Sequence, residues 1–517
     1  MRFVILLCMI GFVVCDLPVH CLKHQVAGKW RLYLEKPTQK GVGLLPCGHE
    51  VPDRAKTSYM AYSSNFQPSQ DFEVTLGDDY KVKSSQKSGE WTMVYDEGFE
   101  IKLGNMKYFA FSKYEPKGRE GVSFCDQTLV GWYTNLDTQE KGCYRAEKSE
   151  KVESSESIKT VSIVQPEFMD DDDLKSLSFL QVQEKTSDVN HEDVVEKLNQ
   201  KEGTWKAKVY DNMKGKSFAE VAKSLGKKKG FRKDKSFKQQ DSTSNKVFVQ
   251  TGDYTDLPKS FNWKEKLSPP RQQGQCGSCY AIATMSMLSA RLKIQGENVD
   301  LSPQWSLNCN YFNQGCDGGY PYLVNKFAEE QVLVSESVEP YQGFDGSCNF
   351  QKAKSQSKVY KTKNYKYLGG SYGRVSEQII MTEIMKNGPV VLSFEPSYDF
   401  MYYESGIYHS KAETNDYAEW EKVDHSVLCY GWGEEDGVKF WMLQNSWGNQ
   451  WGEGGNFRMK RGVDESAIES MAEASDPYVV NQNSSTSFSE TKSNGSDFDY
   501  EDDDSIFSFN QIRQNLK

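Results

Sequence analysis

The sequence predicts two folded parts of different class, an all-β domain over residues 16–147 and an α+β domain over residues 257–475. Three observations carry this reading. In the first part, Trp30-Arg31-Leu32-Tyr33-Leu34, Trp91-Thr92-Met93-Val94-Tyr95 and Leu129-Val130-Gly131-Trp132-Tyr133 alternate or cluster large apolar residues between Gly, Asp and Ser turns, which is strand patterning. In the second, Ile282, Met285, Leu288 and Leu292 recur at helical spacing along residues 281–294, predicting a helix with one buried face. Residues 423–430, 440–444 and 455–459 read as short strands between Gly-rich turns. The third observation is where the twelve cysteines fall. Cys21, Cys47, Cys125 and Cys143 form one set, Cys276, Cys279, Cys309, Cys316, Cys348 and Cys429 another, and the 132 residues between Cys143 and Cys276 hold none. That is the pattern of two separately cross-linked domains.

Taken in order, the chain opens with Arg2 and twelve residues, 3–14, without a polar side chain, ending in Val13-Val14-Cys15. Residues 1–15 thus have the form of a secretory signal, too short at about 1.5 Å per residue to cross a bilayer. No other stretch approaches a span, so the expected product carries no integral membrane segment and travels the secretory pathway, to a lysosome-like acidic compartment or out of the cell. Residues 16–147 are expected to close into a barrel. Residues 148–256 turn polar, with Asp170-Asp171-Asp172-Asp173 and eight Lys or Arg within residues 223–238, and read as a segment that is largely excised. Inside it Val194, Val195, Leu198 and Trp205 have helical spacing, so part of it should fold against a neighbour. Residues 476–517 are rich in Ser, Asn and acid, carry both glycosylation sequons at Asn483 and Asn494, and read as a disordered tail.

Composition narrows the function. The 73 acidic against 62 basic residues, a formal charge of -11, argue against nucleic acid as a partner. A zinc reading of the Cys276-Gly277-Ser278-Cys279 pair fails because no second such pair follows and thiols pair readily in an oxidising compartment.

The chemistry centres on Gln273-Gly274-Gln275-Cys276-Gly277-Ser278-Cys279-Tyr280, which leads straight into the predicted helix. A thiol at a helix start, next to an imidazole, is held as the thiolate that attacks carbonyl carbon. His425, 146 residues on in Asp424-His425-Ser426, is the candidate base. Asn445, in Gln444-Asn445-Ser446-Trp447-Gly448, offers an amide oxygen to hold the imidazole N–H, with Trp447 shielding the bond. Gln273, six residues before Cys279, is placed to share an oxyanion hole with the Cys279 N–H. Singly, such a cysteine is ordinarily a disulfide partner and such a histidine a core residue. Their occurrence together, in a domain whose six cysteines can form two bridges and leave Cys279 and Cys429 over, favours catalysis.

These neighbourhoods are highly specific, and residues 257–475 resemble the papain-like cysteine peptidases throughout. The β domain ahead of the polar segment, Asp16-Leu17-Pro18-Val19-His20-Cys21, Tyr320-Pro321-Tyr322 after Cys316-Asp317-Gly318-Gly319, and Tyr365-Lys366-Tyr367-Leu368-Gly369-Gly370 make the whole chain similar to the dipeptidyl peptidase branch of that family. The resemblance implies a two-lobed α+β catalytic domain preceded by a β-barrel exclusion domain. It implies a cysteine exopeptidase that removes dipeptides from the free N-termini of peptides and proteins. Asp16 would hold the substrate's α-amino group, and Trp447, Gly318 and Gly319 would line the substrate cleft. A chloride ion would sit near Tyr322, Tyr367, Ser278 and Tyr320. The implied disulfides are Cys21–Cys125, Cys47–Cys143, Cys276–Cys316 and Cys309–Cys348, with Cys429 an unpaired core thiol, and the implied assembly is a homo-oligomer of the tetrameric type found in relatives. The alternative is a papain-like endopeptidase with an accessory β domain.

Overall fold

A computed structural model describes residues 21–53, 66–117, 120–149, 190–216, 257–411 and 425–482, together with Leu17, Val19 and Val221. The expected leader, Asp16, the basic run and residues 483–517 of the expected tail lie outside the described residues, whereas residues 476–481, read as the start of that tail, are held in the strand Ala472–Asn481 by backbone pairing with residues 358–363.

Ten strands form the N-terminal sheet: β1 (Gly28–Leu34), β2 (Gln39–Lys40), β3 (Gln70–Leu76), β4 (Lys81–Ser84), β5 (Ser88–Val94), β6 (Gly98–Leu103), β7 (Met106–Lys117), β8 (Glu120–Thr128), β9 (Gly131–Asn135) and β10 (Glu140–Lys148). Antiparallel pairing runs β1-β3-β4-β5-β6-β7-β9-β10 and returns from β10 to β1 along Trp30↔Lys148 to Leu34↔Tyr144, so eight strands close on themselves. Alternation places Trp30, Leu32 and Leu34 inside and Lys29 and Arg31 outside, with the Trp30 ring 5.1 Å from that of Phe99. Disulfides Cys21–Cys125 and Cys47–Cys143 staple the barrel. The two-residue period fails from Trp91 to Ile101, where inward and outward positions are both buried. The cause is tertiary: this end of the barrel packs against the second domain.

The second domain holds a mixed sheet of β11 (Trp205–Ala207), β12 (Phe261–Asn262), β13 (Lys358–Tyr367), β14 (Val390–Phe394), β15 (Tyr403–Tyr408), β16 (His425–Glu435), β17 (Val438–Gln444), β18 (Asn456–Lys460) and β19 (Ala472–Asn481). Its order is β11-β15-β18-β17-β16-β14-β19-β13, and β15 runs parallel to β18. The helix expected at 281–294 spans Cys279–Ile294, yet thirteen of its sixteen residues are buried, where the spacing had predicted one buried face. It is sandwiched between β14, β16 and β19 on one side and helices Pro303–Cys309 and Pro321–Glu330 on the other. Even Arg291 is internal, bonded to Glu383 at 2.9 Å and to the Pro389 carbonyl. Disulfides join Cys276 to Cys316 and Cys309 to Cys348, and Cys279 and Cys429 take part in no disulfide.

Within the polar segment, helix His191–Gln200 is capped by Asn190 and buries Val194 and Leu198. Trp205, placed in the same helix by its spacing, instead begins β11 and pairs with Gly406 of β15. This piece therefore folds onto the second domain.

The two domains meet through apolar and charged contacts. Trp132 and Phe109 of the barrel meet Phe312 edge-on, and Gln331 exchanges hydrogen bonds with the backbone of Gly43. Beside them Lys107 pairs with Glu329, Lys141 with Glu330, and Glu100 with Lys326, all mostly withdrawn from water.

Candidate active site

Cys279 is the first residue of the central helix, 9% exposed, with Ser278 as its N-cap. The N–H groups of a first helical turn have no carbonyl acceptor within the helix, so this end attracts negative charge. The preceding loop is clamped by Cys276–Cys316 and by the Gly277 N–H donating to the Cys316 carbonyl at 2.9 Å.

His425 opens β16 and is buried. Its Nε2 lies 2.8 Å from Asn445 Oδ1, an oxygen that also accepts the Ser446 N–H at 2.8 Å. Two donors on one atom fix the amide orientation, so the proton sits on Nε2 and Nδ1 carries the lone pair. The indole of Trp447 lies 5.1 Å from the imidazole, centroid to centroid, and the Phe394 ring meets it edge-on. Asn445 Nδ2 and Trp447 Nε1 are buried without hydrogen-bond partners.

Gln273 is tied to the same strip of chain. Its backbone N–H donates to the Ser446 carbonyl at 2.8 Å, its side-chain oxygen accepts the Ser446 hydroxyl, and its Nε2 donates to the Cys276 carbonyl at 3.0 Å. Its neighbour Gln272 bridges to Trp447. The residue that orients the imidazole and the residue expected to hold the oxyanion are thus fixed by one contact between the lobes. Ser446 was not singled out in the sequence, and neither was Tyr341, whose hydroxyl donates to the Gln273 carbonyl and shares a 2.6 Å hydrogen bond with Ser278 Oγ. Burial pushes the Tyr341 phenol up to about 12. Ser278 is thereby tied to the Gln273 loop rather than to the tyrosines with which the resemblance groups it.

Gly318 and Gly319 follow the second clamp cysteine with φ of 127° and 158°. A Cβ on Gly319 would come within 2.6 Å of Asn313 Oδ1 and 2.8 Å of the Tyr280 ring, so only glycine fits there. Tyr320 and Tyr322 lead into a cluster of buried tyrosines. The Tyr322 ring stacks on Tyr367 at 4.4 Å, Tyr372 meets Tyr367 edge-on at 5.6 Å, and Tyr95 from the barrel lies 4.8 Å from Tyr320 and 5.7 Å from Tyr372. The Tyr322 hydroxyl donates to Glu100, and those of Tyr367 and Tyr372 have no partner. Tyr95 Oη reaches Ser393 Oγ at 3.2 Å, and Ser393 reaches Ser426, the residue after His425, at 3.0 Å. The barrel therefore contacts Ser393, the hydrogen-bond partner of the residue that follows His425.

Residues 257–476 match the family model described as papain family cysteine protease, and residues 16–148 that of the cathepsin C exclusion domain. Cathepsin C of Schistosoma mansoni is 27% identical over 500 residues, which cover 92% of this chain and 98% of that one. Dipeptidyl aminopeptidase 1 of Plasmodium falciparum is 25% identical over 665 residues, 90% of this chain and 93% of that one. Pro-cathepsin H of Mus musculus is 33% identical over 248 residues, 46% of this chain and 70% of that one.

Proposed function

The chain belongs to the papain family of cysteine proteases, and from its cleft we propose that it removes dipeptides from free peptide N-termini with Cys279, His425, Asn445 and Gln273 as its machinery. The observation that carries this reading is the 2.8 Å bond from His425 Nε2 to Asn445, in a chain whose Cys279 opens the buried central helix. With Nε2 protonated, Nδ1 takes the Cys279 proton. The thiolate adds to the scissile carbonyl, and the oxyanion so formed is met by the second Gln273 Nε2 hydrogen and the Cys279 N–H. The imidazolium then protonates the departing amine, leaving a thioester, and the neutral ring later takes a proton from water as that water attacks.

The two-residue limit belongs to the barrel, which meets the catalytic domain through Tyr95. Asp16 is our candidate for the α-amino group. It stands five residues before Cys21, whose N–H donates to the carbonyl of Asp96, the residue after Tyr95. That is a reach of at most about 18 Å. Cleavage of residues 1–15, excision from 148–256, a homo-oligomer of tetrameric type and delivery to a lysosome-like compartment or outside the cell belong to the same proposal. The four disulfides support it as products of an oxidising route. Among the described residues no helix is long and apolar enough to cross a membrane.

Homology to cathepsin C brings chloride into the proposal. The partnerless buried hydroxyls of Tyr367 and Tyr372 are donors suited to an anion. They, with Tyr322 beneath them, would hold it, and a bound chloride would supply a fixed negative charge that keeps these rings in register. The test of the main reading uses a Gly-Phe amide reporter with free and with acetylated N-terminus. Only the free form should turn over, and equal hydrolysis of both would establish the endopeptidase alternative.

A further inference from the structure

Behind the tyrosine cluster stands a carboxyl that the sequence did not single out. Glu473, on β19, has no exposed surface, and its backbone pairs with Tyr367 and Val391. One oxygen accepts the Tyr95 hydroxyl at 3.1 Å, and the other, Oε2, has no hydrogen-bond partner. The carboxyl acts through space on the phenols of Tyr95, Tyr322, Tyr367 and Tyr372, and Tyr367 is its direct partner across the strand pair.

The charges facing this cluster are mostly negative. From the barrel, Glu100 is paired with Lys326 of helix Pro321–Glu330 at 3.1 Å, and that lysine is shared with Glu330 at 2.7 Å. Asp96 and Glu97 bear on Tyr372 from the far side. Strand β14 contributes Val391 and Ser393, without charge. An anion next to an ionised Glu473 would be repelled in a medium too dry to screen it. A neutral carboxyl is compatible with one and can donate to it.

We propose that the site formed by Tyr367 and Tyr372 takes up a halide together with a proton, Glu473 being the group protonated, so that this chain binds chloride only when Glu473 is neutral. The inference rests on the anion reading given above and adds Glu473 to it. Burial pushes the Glu473 carboxyl up to about 8, the Tyr95 hydroxyl opposing. Below that pH the site is ready for chloride, and above it each unit costs about a tenfold loss of affinity.

The experiment titrates the full chain with sodium chloride at constant ionic strength, using methanesulfonate as the replacement anion, and follows the thermal midpoint at pH 6.5 and 9.5. Chloride should bind about 30-fold more weakly at pH 9.5. A pH-stat at pH 8 should record uptake of about half a proton per chain as chloride is added, and this needs no variant. Glu473→Gln should bind chloride equally at both pH values. Equal affinity of the unaltered chain at the two pH values, absence of proton uptake, or absence of any chloride effect overturns the proposal. So does a Glu473→Gln chain that keeps the full pH dependence. Hydrolysis of the free but not the acetylated reporter would stand in each of those cases, so failure here is distinct from failure of the dipeptidyl reading.

Discussion

Lys326→Met isolates one buried charged contact between the barrel and the catalytic unit. Lys326 Nζ lies 2.7 Å from Glu330 Oε1 and 3.1 Å from Glu100 Oε2, and the three side chains are 1%, 3% and 6% exposed. The methionine fills the volume and removes the cation. Glu330 keeps Lys141 at 3.7 Å, whereas Glu100 is left with the hydroxyls of Tyr322 and Tyr365. Stripping one partner from a buried ion pair costs about 3–5 kcal/mol, because the remaining charge stays desolvated. At this depth, solvent screening takes little from that figure. The sign of the pH dependence follows from Glu330. Burial works to raise its pKa, but Lys326 and Lys141 hold it down at about 2. Its stabilising contribution is therefore present above the unfolded value near 4.5 and is lost only as pH falls toward 2. In the variant the abandoned carboxyls can protonate, so the loss should be smaller at pH 4.5 than at pH 7. Urea unfolding followed by tryptophan fluorescence at both pH values measures this. Adding Glu100→Gln should recover at least about 1 kcal/mol. A loss below about 1 kcal/mol at pH 7, or one independent of pH, would refute the reasoning.

Two further outcomes concern the cleft. Asn445→Ala frees the imidazole to rotate and should lower kcat about 100-fold with little change in KM, as expected when only orientation is lost; a change confined to KM would remove Asn445 from its orienting role. Iodoacetamide should modify one thiol per native chain, Cys279. Cys429 is fully buried, its thiol pushed far up by that burial and bonded to the Gly431 carbonyl, and it should react only in denaturant. Two equivalents taken up natively would contradict this.

What the sequence made legible was the chemistry carried by local spacing. Gln273, Cys279, His425 and Asn445 stood in short, distinctive neighbourhoods, and the structure brings Gln273, His425 and Asn445 within one hydrogen-bonded strip around Ser446. The strand pattern of β1 was plain because one of its faces is wet. Positions defined by distant partners were not readable. The central helix is apolar on all sides, so its spacing marked one face while its packing buried nearly all of it. Trp205 fitted a helical period, but pairing with Gly406 some 200 residues away drew it into a strand. Glu473 had no signature, since an isolated glutamate in a strand is ordinarily a solvated residue. Only the assembled barrel, with Tyr95 above it, makes it internal.

The closed course of the barrel bears on how it can limit substrate length. A peptide in a cleft between two lobes lies extended, and an extended chain adds readily to any sheet that offers it unpaired N–H and C=O groups. The ring β1-β3-β4-β5-β6-β7-β9-β10 has those groups spent on its own neighbours. A longer polypeptide arriving at this wall would find no backbone template to follow. In the dipeptidyl reading the substrate is stopped by a surface that cannot be extended by another strand.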